Sequence, residues 1–252
     1  MEPGTKRCKV TIQETELLAG LGSDGSHHVT PATLTCSVSL PSGHCEDVVV
    51  AMNGTVGDLK MAAQRSLGRP FLRLAAADGR ILNPTESLQS AGVENGSCIA
   101  AIAQQPKIAA TQSAFALWCA GGDRIVTWGK SDSGGNSTAV QDQLRNVQQV
   151  HATNFAFAAI LANGTVVTWG RSDCGGDSTA VQDQLRNVQQ VHATSGAFAA
   201  ILSNGTVVTW GASVYGGDSI AVQDQLRNVQ QVHATNGAFA AILSNGTVVT
   251  WG

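Results

Sequence analysis

The sequence predicts a small α+β domain followed by an all-β array of small sheets. Residues 34–104 show strand-like alternation on either side of one well-bounded helix. Beyond them, Trp128, Trp169, Trp210 and Trp251 recur every 41 residues, and self-similarity at a fixed period identifies a repeat architecture. The strands of each repeat are apolar on both faces, so each sheet must be packed against another element on both of its faces.

Composition narrows the classes of partner. Charged residues make up 13 % of the chain and the formal net charge is −3. The 15 lysines and arginines form no basic stripe, so we expect neither nucleic-acid nor membrane binding. Neither a signal peptide nor 18 consecutive apolar residues occur. The six cysteines form no C-x-x-C pair, which favours a reducing, intracellular location in the cytoplasm or nucleus.

The first domain is predicted in the order ββαβ(β)β, after a poorly ordered leader at residues 1–33. LTCSVSL and CEDVVVAM flank a PSG turn and predict a hairpin. The helix begins after Thr55 as N-cap, with Asp58 three residues later, and ends at Gly68. FLRLAAA, a short RIL segment and a strand from Cys98 complete the order.

Residues 34–104 resemble ubiquitin and the ubiquitin-like domains across their whole length. When Gly43 is matched to the family's hairpin glycine, apolar residues fall on the family's core positions: Val38, Val48, Val50, Val56, Leu59 and, after one deletion, Leu82, Leu88, Val93 and Ile99. The resemblance implies a β-grasp fold, a curved mixed sheet that clasps one helix.

The resemblance places three candidate partner-binding residues on this domain. The central isoleucine of ubiquitin's apolar patch aligns with Ala76, and Ile102 remains at the edge of that patch. The lysine most used for chain building aligns with Arg80. Instead of ending in Gly-Gly the domain continues into further protein, so we do not expect it to be conjugated as ubiquitin is.

The second domain, residues 105–252, consists of closely similar units. AVQDQLRNVQQVHAT is identical at 139–153, 180–194 and 221–235. One unit predicts strands at Val188–Thr194, Ala197–Leu202 and Thr206–Trp210, the last two joined by a two-residue type I′ turn at Asn204-Gly205 because Asn-Gly accepts positive φ. Apolar residues on both strand faces favour a stack or ring of small sheets.

The pattern V-x-x-V-x-A, an alanine-rich strand and NG-T-V-V-T-W-G resembles repeats of the regulator of chromosome condensation family, which form a seven-bladed β-propeller. The family's histidine is replaced here by Ala156, Ala197 and Ala238. About three and a half blades are predicted, too few for such a ring, so we expect a fragment, an open array or a ring completed by two copies.

The ends of this incomplete ring predict self-association through open blade edges and apolar faces. Phe239, Ile242 and Trp251 in the last unit are expected to contribute to the uncovered surface.

Candidate binding residues in the repeats lie in three connectors, SDSGGNS, SDCGGDS and SVYGGDS, which differ most among the units. Loops that vary on a fixed scaffold commonly carry recognition. The candidates are Asp132, Ser133, Asp173, Cys174, Val214 and Tyr215, and Cys174 is expected to be exposed.

No cofactor, metal or catalytic constellation is predicted. The recurring His151, His192 and His233 belong to neighbouring sheets, which are spaced by ~10 Å, whereas zinc ligands bond at about 2 Å. No Ser/His/Asp or phosphate-cradling motif is present.

We therefore expect a non-catalytic protein-protein interaction module, whose ubiquitin-like domain suggests the ubiquitin pathway. One alternative is the regulatory N-terminal part of a larger HECT-type ubiquitin ligase, since chromosome-condensation-type repeats occur in such ligases. Another is guanine-nucleotide exchange on a small GTPase, or binding to one, as the founding member of that repeat family does.

Overall fold

The computed structural model describes residues 32–252 except 121 and 123. The predicted leader lies outside the described residues, apart from its last two positions. The chain divides into two compact units, Met1–Gln104 and Gln105–Gly252. No helix in the described part is long and apolar enough to cross a membrane.

In its described residues, 32–104, the first unit is a four-stranded mixed sheet with one α-helix. Its elements are β1 (Thr33–Ser39), β2 (Cys45–Ala51), α1 (Val56–Ser66), β3 (Leu72–Ala75) and β4 (Cys98–Ala103). The strand order is β2-β1-β4-β3, with β1 parallel to β4 and the other pairs antiparallel. Helix α1 packs against β2 and β3, which is the β-grasp arrangement. The RIL segment forms a single bridge, between Ile81 and Ala75, instead of a strand.

Helix α1 begins with the predicted cap. The Asp58 N–H donates to Thr55 Oγ1 at 3.2 Å, and the Thr55 N–H donates to Asp58 Oδ2 at 2.8 Å. This reciprocal capping box satisfies two backbone donors that the first turn leaves unpaired. Val56, Leu59 and Ala63 are buried on one face, so the cap fixes the register in which the helix meets the core.

The second unit contains four three-stranded antiparallel sheets, named repeat sheets 1 to 4. Their strands are β5 (Pro106–Ala110), β6 (Ala114–Cys119), β7 (Ile125–Gly129); β8 (Val147–Ala152), β9 (Ala156–Leu161), β10 (Val166–Gly170); β11 (Val188–Ala193), β12 (Ala197–Leu202), β13 (Val207–Gly211); and β14 (Val229–Ala234), β15 (Phe239–Leu243), β16 (Val248–Trp251). The degenerate first copy is a full sheet because Pro106–Ala110 supplies a strand. The four sheets do not close into a ring.

Successive repeat sheets pack through two different faces. We call the face with Phe198 and Trp210, and its equivalents, the aromatic face, and the face with Ala197 and Ala199, and its equivalents, the alanine face. One hydrophobic cluster joins the alanine face of repeat sheet 2 to the aromatic face of repeat sheet 3, and equivalent clusters form the two other junctions. The small alanines allow the Phe and Trp rings, stacked with centroids 5.2 Å apart in repeat sheet 3, to pack closely.

The predicted exposure of Phe239 and Trp251 in the last unit is wrong. Both are buried, because their aromatic face packs on the alanine face of repeat sheet 3. Ile242, on the alanine face, is half-buried. The exposed aromatic face belongs to repeat sheet 1, at Phe115 and Trp128.

The hairpin turn also differs from the prediction. In repeat sheet 3 the Gly205 N–H donates to the Leu202 carbonyl and the Leu202 N–H to the Thr206 carbonyl, both at 2.9 Å. This is a three-residue loop, a type I turn followed by a left-handed glycine with φ +77°. Asn204 accepts from the Thr206 N–H and hydroxyl at 3.0 and 2.7 Å. The asparagine therefore acts through its side chain, and the type I′ prediction is wrong because Asn204 does not adopt positive φ.

Candidate functional site

Three connectors link the repeat sheets and carry most of the candidate binding residues. Connectors 1, 2 and 3 are residues 130–146, 171–187 and 212–228. Each contains two short 3-10 turns: Ser131–Ser133 and Thr138–Val140, Ser172–Cys174 and Thr179–Val181, Ser213–Tyr215 and Ile220–Gln225.

A chain of polar side chains fastens each connector to the sheet before it. In connector 2, Ser178 and Thr168 share a hydrogen bond of 3.0 Å, and the Ser178 hydroxyl donates to Gln182 Oε1 at 2.8 Å. Gln182 Nε2 then donates to the Val166 carbonyl at 2.9 Å. The same arrangement recurs in connectors 1 and 3. The repeated Ser and Gln are therefore structural residues.

The connector is also clamped to the sheet that follows it. Trp210 Nε1 donates to the Gly175 carbonyl at 3.1 Å. A Cβ on Gly175, whose φ is +93°, would lie 2.5 Å from the Phe198 ring. Leu185 in the same connector is fully buried. Because it is held on both sides, the connector presents its exposed residues from a rigid base.

The structure separates the candidates in connectors 1 and 2 into exposed and buried residues. Asp132 and Asp173 are exposed, whereas Ser133 and Cys174 are buried. The hydrogen bond from Lys130, 3.0 Å away, lowers the pKa of Asp132. These two acids remain candidates for contact with a partner.

The expectation that Cys174 is exposed is wrong. The Thr153 hydroxyl donates to the Cys174 carbonyl at 3.1 Å, which holds the 3-10 turn against the sheet with the thiol inside. Burial, followed by a hydrogen bond with Asp173, raises the pKa of the Cys174 thiol. A buried, protonated thiol is a poor nucleophile.

Connector 3 exposes apolar residues where the others are polar. Val214 is 76 % exposed and Ile220 is 82 % exposed, and they replace Asp and Thr of the other two connectors. Tyr215 is exposed and packs over Gly196, where a Cβ would lie 2.6 Å from its ring. Sequence reasoning did not select Ile220 as a candidate. The signal was present, because connector 3 reads DSIAVQ where the other two connectors read NSTAVQ and DSTAVQ. We name Val214, Tyr215 and Ile220 the connector 3 patch.

The β-grasp candidates do not form one apolar surface. Ala76 is half-buried against the core, and its N–H donates to the Arg80 carbonyl at 2.9 Å. Arg80 is exposed, but its Nη2 donates to the Ala91 carbonyl at 2.8 Å. Ile102 lies on β4, opposite Arg73 of β3. The structure thus brings Ala76 and Arg80 together at one turn and places Ile102 elsewhere on the sheet.

The recurring histidines lie on the first strands of repeat sheets 2 to 4. A hydrogen bond of 3.2 Å joins His151 to Gln149. Burial, and then the charge of His192, lowers the pKa of His151 to about 4. An open cavity of about 390 Å³ lies beside it, lined also by Lys107 and Trp118. Within the described residues, no group of three or more His, Cys, Asp or Glu side chains could hold a metal ion.

No protein-family model and no curated protein matches the chain. Similar solved structures include the N-terminal ubiquitin-like domain of the 4931431F19Rik protein, at 23 % identity and a TM-score of 0.28, covering 37 % of this chain and 99 % of that one. Caldiarchaeum subterraneum ubiquitin is 27 % identical with a TM-score of 0.27, covering 29 % and 96 %. Human WBSCR16 is 18 % identical with a TM-score of 0.43, covering 59 % and 48 %.

Proposed function

We propose that the chain is a non-catalytic protein-protein interaction module and that the connector 3 patch is its contact surface for a partner protein. The observation that carries this proposal is the exposure of Val214 and Ile220 on a connector that hydrogen bonds fasten to the sheets before and after it. A rigid base lowers the entropy lost on binding. Tyrosine is enriched among the residues that contribute most of the binding energy at protein interfaces, and exposed apolar patches mark interaction sites.

The ubiquitin pathway is the proposed setting. The β-grasp topology of the first unit supports it, and the Ala76 and Arg80 positions favour an adaptor over a conjugated tag. In this proposal the repeat sheets are open propeller blades of the chromosome-condensation type, and the partner is a component of the ubiquitin pathway. The same arrangement would suit the regulatory part of a HECT-type ligase.

The test gives connector 3 the residues of connector 2 at the two most exposed positions of the patch, by the double substitution V214D/I220T. Proteins bound by the purified chain are cross-linked from a cell extract and quantified by mass spectrometry. Loss of a defined subset of partners, each then bound directly in purified form, is the expected result. The control is Asp142→Asn, which alters an exposed residue of connector 1. An unchanged partner set in V214D/I220T would contradict the proposal.

A further inference from the structure

The two end sheets of the repeat array expose opposite halves of one interface. Each internal junction joins the alanine face of one sheet to the aromatic face of the next. Among the described residues no repeat sheet packs on the aromatic face of repeat sheet 1, where Phe115 and Trp128 are exposed. No described repeat sheet packs on the alanine face of repeat sheet 4, where Val248 is exposed.

On repeat sheet 1 the uncovered residues are those that are buried in every other sheet. Phe115 is 44 %, Val126 56 % and Trp128 43 % exposed. Their equivalents are all buried: Phe157, Phe198 and Phe239; Val167, Val208 and Val249; Trp169, Trp210 and Trp251. Ile108, also exposed, extends this face on β5. The face is an exposed apolar surface of the kind that marks an interaction site.

On repeat sheet 4 the complementary residues are uncovered. Val248 is 57 % exposed, whereas its equivalents Ile125, Val166 and Val207 are buried. Ala238, Ala240 and Ile242 are half-buried, whereas the alanines at the same two positions in repeat sheets 1 to 3 are buried: Ala114, Ala116, Ala156, Ala158, Ala197 and Ala199.

We propose that a second copy of the chain docks head to tail, with the alanine face of its repeat sheet 4 on the aromatic face of repeat sheet 1. The three internal junctions already form this pairing of faces, so the contact needs no new complementarity. The two faces of one copy differ, so the contact is heterologous, and repetition gives a ring or a filament according to the rotation at each junction. This inference is independent of the proposed function.

The internal junctions contain two hydrogen bonds that the junction between copies lacks. The contact between copies should therefore be weaker than an internal junction. Trp169 Nε1 donates to the Gly134 carbonyl of connector 1 at 3.0 Å, whereas two separate copies are not joined by a covalent connector that could accept such a hydrogen bond from Trp128. The Val229 N–H also donates across a junction, to the Gly205 carbonyl at 2.9 Å. Pro106 starts β5 and has no N–H to donate. Association should therefore be reversible and depend on concentration.

Two substitutions with matched exposure test the proposal in the full chain. Val126→Glu places a charge on the aromatic face of repeat sheet 1, and Val248→Glu places one on the alanine face of repeat sheet 4. Each Val is more than half exposed in one copy, so the variants should fold, which circular dichroism checks. Wild type should show a sedimentation coefficient that rises with concentration. Each variant alone should associate at least about tenfold more weakly.

An equal mixture of the two variants gives the decisive result. The alanine face of V126E and the aromatic face of V248E are both unaltered, so the mixture should form heterodimers and nothing larger. Native mass spectrometry with one variant labelled with ¹⁵N identifies them. Val49→Glu, with 59 % exposure in the β-grasp unit, is the control and should associate as wild type does.

Three outcomes would overturn the proposal. The first is a wild-type chain that stays monomeric at every concentration. The second is a mixture in which both variants are folded and no heterodimer forms. The third is loss of association in V49E with V126E and V248E unaffected, which would locate the contact on the β-grasp unit.

Discussion

At the scale of single residues, His151 and His192 are acid-sensitive groups of the repeats, because burial lowers the pKa of each, and the shift is large at His151. Its ring is half-buried on β8, and its folded pKa of about 4 lies below the ordinary value of 6.5 because burial, and then the charge of His192, disfavours the protonated form. Between these pH values the unfolded chain binds more protons than the folded chain. The free energy of unfolding therefore decreases as pH falls through this window.

Replacing His151 with Gln should flatten that pH dependence. Chemical denaturation of the repeats should show a smaller loss of stability between pH 6.5 and 4 in His151→Gln than in wild type, because one group that gains a proton on unfolding has been removed. The matched control is His233→Gln, at the equivalent but exposed position on β14. Equal slopes in wild type and His151→Gln would contradict this assignment.

Cys174 gives a second prediction at this scale, which follows from the proposed lack of catalysis. With its thiol buried and its pKa raised, Cys174 should not accept ubiquitin as a thioester. Incubation with ubiquitin-charged conjugating enzyme should yield no adduct that a reducing agent releases. A reducible adduct that disappears in Cys174→Ser would show that the connector opens and that the chain has a catalytic step.

At the scale of elements, the hairpin loops show what sequence patterns can and cannot give. The strand Ala197–Leu202, a run of six apolar residues, was predicted to the residue, whereas the bounds of its two neighbours in the unit were each missed by one residue. The turn type was not predicted, because Asn-Gly suits both a type I′ turn and a three-residue loop. The hydrogen bond from Thr206 to the Asn204 side chain decides between them, and that contact is visible only in the structure.

The hairpin glycines provide a matched pair of substitutions. Gly205 and Gly246 both have positive φ, so replacing either of them with Ala imposes similar local backbone strain. A Cβ at Gly205 would lie 3.0 Å from the Cα of Asn228, the last residue of connector 3, whereas at Gly246 it meets nothing within 4 Å. Crowding against backbone should therefore make Gly205→Ala about 1–3 kcal/mol more destabilising than Gly246→Ala. Urea unfolding of the two variants measures the difference, and equal losses would contradict the junction geometry.

At the scale of the whole molecule, the sequence predicted the β-grasp segment and the repeated three-stranded sheets but not the direction in which the sheets stack. Alternation shows that Phe239 and Ala240 lie on opposite faces; it does not show which face meets the preceding sheet. For that reason Phe239 and Trp251 were expected at the surface and are buried. Cys174 was also predicted at the surface and is buried. The prediction rested on the sequence differences among the connectors, but a connector that varies in sequence can still bury one of its side chains.

The β-grasp unit should fold when it is separated from the repeats. Its core cluster, which includes Leu34, Leu59, Leu88 and Ala101, is drawn wholly from residues 34–101, and its helix carries its own cap. Many domains of about 55–65 residues fold alone, and residues 32–104 exceed that size.

Expression of residues 32–104 should therefore give a well-dispersed amide NMR spectrum and a cooperative thermal transition. As a check on the core, Leu59→Ala should lower the free energy of unfolding by about 2–5 kcal/mol, because it leaves a cavity where α1 meets the sheet. Val49→Ala, at an exposed position on β2, should have a much smaller effect. A collapsed spectrum from a soluble monomeric segment would show that the repeats are needed to stabilise this core.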